Sequence, residues 1–143
     1  MDKIVLLGLA SVLATAAYGK HEQPPAPPTA LPICSILANA ADNDGKEITV
    51  RMTYYSTPES ALGSGPECPH ESVALQNAPD FKPNKTVQKA WRKIGKYKAL
   101  DLVVRGRFTL CRKSDCFIGL YWVPYRIDVQ EYLSVQPAPA KLK

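Results

Sequence analysis

The stretch Leu100-Asp101-Leu102-Val103-Val104-Arg105-Gly106-Arg107-Phe108-Thr109-Leu110-Cys111 decides how the rest of the chain is read. Leu100, Leu102, Val104, Phe108 and Leu110 recur at a spacing of two. Asp101, Arg105, Arg107 and Thr109 take alternate positions. Side chains of a strand point to opposite faces in turn, so this period predicts one dry face and one wet face.

A second segment has the same period. In Glu47 to Ser56, Ile48, Val50, Met52 and Tyr54 share one face, and Glu47, Thr49, Arg51, Thr53 and Tyr55 the other. Asp42-Asn43-Asp44-Gly45 before it is a turn signal. It lacks the distal glutamate of a calcium loop, so calcium is rejected there. Upstream, Ile33 to Ala41 predicts one or two helical turns. Thr57 to His70 is loop-like, with a short strand around Ala61-Leu62. Glu71 to Gln76 predicts a strand with Val73 and Leu75 inward, and Asn77 to Asn84 a connection.

From Lys85 to Lys98 the period changes. Val87, Ala90, Trp91 and Ile94 fall at i, i+3, i+4 and i+7, the stripe of an amphipathic helix. Asn84 or Thr86 supplies a cap and Gly95 an end. Trp91 is the expected plug, and Lys85, Lys89, Arg92, Lys93 and Lys96 cover the remaining surface. Asn84-Lys85-Thr86 also matches a glycosylation acceptor, which matters only in a eukaryotic secretory pathway. Phe117 to Pro124 is apolar and aromatic. Tyr125 to Gln136 alternates, with Tyr125, Ile127, Val129, Leu133 and Val135 on one side. Glu131 interrupts that face and predicts a bulge.

The chain has 143 residues, 45% of them hydrophobic, and a formal charge of +5. That suffices for one packed domain, and the excess charge favours anionic partners without requiring them. Residues 1–19 read as a signal peptide. A polar start precedes an apolar run from Ile4 to Ala17, and small residues offer cleavage sites at Ala14-Thr15-Ala16 and Ala17-Tyr18-Gly19. The run is short for a membrane span, so no transmembrane anchor is expected in the mature chain. Residues 20–32 form a proline-rich linker, 33–136 the domain and 137–143 a flexible tail. The expected location is periplasmic or secreted.

In an oxidising compartment Cys34, Cys68, Cys111 and Cys116 pair, with three connectivities open. A hairpin across Arg112-Lys113-Ser114-Asp115 brings Cys111 to Cys116 and leaves Cys34 for Cys68. No spacing suits a metal or cofactor.

The order strand, strand, strand, helix, strand, strand resembles the OB-fold. It implies a mainly β domain, a small five-stranded barrel with one helix between strands 3 and 4. Val104-Arg105-Gly106 resembles that family's mid-strand glycine, where a strand coils to close the barrel. Met52 stands where the first strand usually carries another. Tyr125-Arg126-Ile127-Asp128-Val129 resembles the last strand of exported bacterial OB-like proteins of uncharacterised family. The resemblance implies ligand contact across strands 2 and 3 and the loops joining strands 1 to 2 and 4 to 5. Arg51, Tyr55, Arg105, Arg107, Arg112, Lys113, Tyr121 and Trp122 are assigned to that surface, with Arg105, Arg107, Arg112, Tyr121 and Trp122 as the candidate contacts.

No catalytic signature is present. Cys68 with His70 is the one imaginable nucleophile pair, and a bridged Cys68 removes it. The reading is an exported, non-catalytic binding or envelope interaction module whose partner is an envelope protein, peptide or glycan. One alternative is an anion or single-stranded nucleic-acid binder, which the export signal disfavours. The other is a thiol/disulfide or hydrolytic enzyme.

Overall fold

The computed structural model describes residues 29–56, 61–93, 99–112, 116–118 and 121–138. The expected signal segment, most of the expected linker, the end of the expected tail, Lys113, and Ile94, Gly95 and Lys96 of the expected helix end lie outside the described residues. In chain order the elements are β1 (Leu31–Pro32), α1 (Ile33–Ala38), α2 (Ala40–Asn43), β2 (Glu47–Ser56), β3 (Ala61–Gly65), β4 (Cys68–Asn77), α3 (Lys85–Lys93), β5 (Ala99–Leu110), β6 (Phe117–Ile118), β7 (Tyr121–Trp122) and β8 (Tyr125–Pro137).

β2, β3, β4, β8 and β5 pair in that order, and β5 pairs back onto β2, which closes a five-stranded OB-fold-like barrel. β4 and β8 run parallel, and the other barrel pairs are antiparallel. A parallel pair needs a long crossover, and α3 and β5 fill it. The dry faces predicted for β2 and β5 meet inside. Val50, Leu102, Val104, Phe108, Ile127 and Val129 are fully enclosed. Leu110 differs, because it stands at the strand end and its side chain leaves the core.

Two ends of the barrel are closed differently. α3 lies at the end where β4 finishes and β5 begins. Its start is capped by Asn84 Oδ1, which accepts the Val87 N–H at 3.0 Å. Trp91 packs edge-on against Tyr54 and Tyr132, with ring centroids 4.6 and 5.8 Å apart. At the other end α1 buries Ile33, Ile36 and Leu37 in the same core. The disulfide Cys34–Cys68 ties α1 to the first residue of β4.

Closure depends on glycine at two points. A Cβ on Gly106 would overlap the backbone oxygen of Asp128 and crowd Ile127. β8 therefore crosses β5 where β5 has no side chain. The place in β2 where a glycine is usual holds Met52, and the space is made by the neighbouring strand instead. A Cβ on Gly63 would overlap the Met52 sulfur.

β8 corrects the simple alternation. Val103 pairs with Ser134 and Val104 with Tyr132, so Leu133 is extra. Arg105 pairs with Glu131 and Gly106 with Val129, so Gln130 is extra. Two bulges flank the expected interruption at Glu131. Each bulge moves the inward position by one residue. Tyr132, not Leu133, therefore joins the core, and Leu133 is exposed.

Candidate functional site

The predicted contacts divide between two places. Arg105 and Arg107 alternate with the core residues of β5 and lie on the outer wall, between β2 and β8. They are thus on the fourth barrel strand, away from the second and third. Across the three strands, Glu47 stands opposite Arg107 and Asp128 opposite it on the other side; the next row is Thr49, Arg105 and Glu131. Arg105 meets Glu131 Oε2 at 2.7 Å and Glu47 Oε1 at 3.9 Å. Arg107 donates to the Gly45 carbonyl at 3.5 Å. Arg126 pairs with Asp128 at 3.0 Å. Each cation on this wall has a carboxylate on it or opposite it, so the patch is close to neutral. Exposed pairs of this kind add little stability, and what they add is screened by salt.

Arg112, Tyr121 and Trp122 belong to the loop between β5 and β8. That loop folds back against the outside of β3 and β4. Ala74 of β4, whose neighbours Val73 and Leu75 face the core, points outward and is nonetheless buried. It packs with Cys111, Cys116 and Val123 of the loop, and with Leu62 of β3. This is a second apolar cluster on the exterior of the barrel. The disulfide Cys111–Cys116 lies in it. The Cys111 N–H donates to the Pro124 carbonyl at 2.8 Å, and the Val123 N–H to the Cys116 carbonyl at 3.1 Å. Arg126 Nη1 lies 3.9 Å from Cys116 Sγ. The base of the loop is thus pinned covalently, by backbone bonds and by burial.

Above that base β6 and β7 form a short antiparallel hairpin, with Phe117 opposite Trp122 and Ile118 opposite Tyr121. Phe117 is 59% exposed and Trp122 46%. Opposite residues of an antiparallel pair share a face, so the two rings stand side by side toward solvent. Arg112, also exposed, is at the foot of the hairpin. Sequence reasoning singled out Trp122 and missed Phe117, which sits beside a cysteine and looks like core. The signal that could have found it is its place, mirror-related to Trp122 about the turn. Arg51 and Tyr55 are exposed on β2, and Tyr55 stands opposite Leu62, the β3 residue that packs in the outer cluster.

All four cysteines are bridged, and none is free. Cys68 therefore offers no thiol beside His70, which is exposed on β4. Compared with known proteins, the chain matches no family model, no curated protein and no solved structure.

Proposed function

We propose that the protein is an exported, non-catalytic binding module whose contact is the β6–β7 hairpin and whose partner is a peptide or protein of the cell envelope. The observation that carries this reading is the exposure of Phe117 and Trp122 as a facing pair above a base that is buried and bridged. Aromatic rings held in place before contact lose little freedom on binding, and such residues dominate interface energetics. Burying either ring would remove a large apolar area from water. The two bridged cysteine pairs support a location outside the reducing cytoplasm and a role that uses no free thiol.

Retention on the immobilised protein tests it. Wild type and Phe117→Ser/Trp122→Ser are compared for the species each draws from envelope and secreted fractions. A species held by wild type and lost from the variant is expected. Equal retention by both would overturn the assignment. N-terminal sequencing of the protein recovered outside the cytoplasm tests export, with a start just after Ala16 or Gly19 expected.

A further inference from the structure

We propose that the outward stripe of α3 is an electrostatic docking surface for an anionic phospholipid bilayer. It lies apart from the hairpin and does not depend on the role given to it. Lys85, Lys89 and Lys93 recur at every fourth position, and Arg92 lies beside the last; all four are exposed. None is joined in a salt bridge among the described residues. Arg105 on the β5 wall has carboxylates against it, whereas α3 carries four cations and no acidic residue of its own.

Helix stability does not account for the pattern. Arg92 and Lys93 in the last turn suit the helix dipole, but Lys85 in a first turn without any acidic residue opposes it. Like charges four apart also repel, so Lys85, Lys89 and Lys93 oppose one another in sequence. An anionic surface laid along the stripe relieves both penalties.

The chemistry of the stripe selects the surface. α3 itself offers no ring on which a base could stack, because its one aromatic residue, Trp91, is turned inward onto Tyr54 and Tyr132. Three of its four cations are lysines, compact point charges on flexible stems. These suit a diffuse sheet of phosphate charge better than a fixed bidentate contact. Basic residues near an anionic leaflet act additively in this way.

Co-sedimentation with vesicles decides it. The protein is mixed at low salt with phosphatidylcholine vesicles and with equimolar phosphatidylcholine–phosphatidylglycerol vesicles. The readout is the difference between the two, which an apolar terminal run binding both equally leaves unchanged. Preferential binding to the anionic vesicles is expected, lost in high salt, and reduced about tenfold or more in Lys89→Glu/Lys93→Glu. Lys89→Gln/Lys93→Gln is expected to fall between, and it decides the matter if the reversal variant fails to fold. Equal binding to both vesicles, or full binding by a folded variant, would overturn the proposal. So would displacement by a single-stranded oligonucleotide at a lower concentration of phosphate, which would assign the stripe to nucleic acid.

Discussion

The barrel interior and the hairpin on its outside are built on opposite terms. Inside, Phe108, Val104, Leu102 and Ile127 are shut away from water by strands that all pair. Outside, Phe117 and Trp122 face water from strands of two residues each. A two-stranded ribbon of that length has no independent stability. It persists here because a disulfide and the small cluster around Ala74 hold its base. The comparison teaches that the first region is shaped by what it excludes, and the second by what it leaves available.

If that division is right, damage inside should unfold the protein, while damage outside should change only what it touches. The largest effect is expected from Gly106→Val. Its side chain would meet the Asp128 backbone, which cannot step aside without opening the β5–β8 seam. A loss of about 3 kcal/mol or more is expected by denaturant titration.

The two bridges come next. Cys34–Cys68 closes 34 residues and Cys111–Cys116 closes 5. Chain entropy then assigns about 4 kcal/mol to the first and about 2 kcal/mol to the second. Replacing each pair by serine should reproduce that order in the unfolding midpoint. Amide exchange should rise throughout the barrel in the first case and only around residues 111–124 in the second. The reverse order would sink the division.

A smaller effect comes from the ring cluster under α3. Burial, and then the neighbouring Tyr54, push the Tyr132 hydroxyl up to about 12, and burial raises Tyr54 as well. A phenol is neutral when protonated, so the folded state holds its proton at a pH where the unfolded chain has released it. This contribution is complete below about pH 10, the ordinary tyrosine value, and is lost as the pH rises toward about 12. Stability measured across that window should fall, and fall less steeply in Tyr132→Phe. That variant also loses the hydrogen bond donated to Asn77 Oδ1 at 3.0 Å, so its curve should start lower.

The interior was legible in the sequence wherever a strand keeps strict alternation. β2 and β5 were placed from that pattern alone, and Trp91 from a change of period. Gly106 was legible as a closing point through its resemblance to the mid-strand glycine of the OB-fold. β3 and the start of β4 were harder. Gly63 and Gly65 have no side chain to register a face, and Pro69 and His70 look like loop although they lie in a strand. Counting by twos puts Leu133 inward, because it cannot see a bulge. The outer cluster had no signal at all. Ala74 is too small to announce burial, and its partners Cys111, Cys116 and Val123 come from a loop far along the sequence. Arg105 and Arg107 were correctly placed on the wet face, but their carboxylate neighbours come from strands whose register only the folded chain reveals.

The most direct test compares Phe117→Ser/Trp122→Ser with wild type in two readings on one preparation: thermal midpoint and partner retention. The account predicts an unchanged or slightly higher midpoint, because both rings are exposed, together with loss of the retained species. A lowered midpoint would mean the pair is part of the structure that holds the barrel together. Full retention at an unchanged midpoint would mean the partner is met elsewhere.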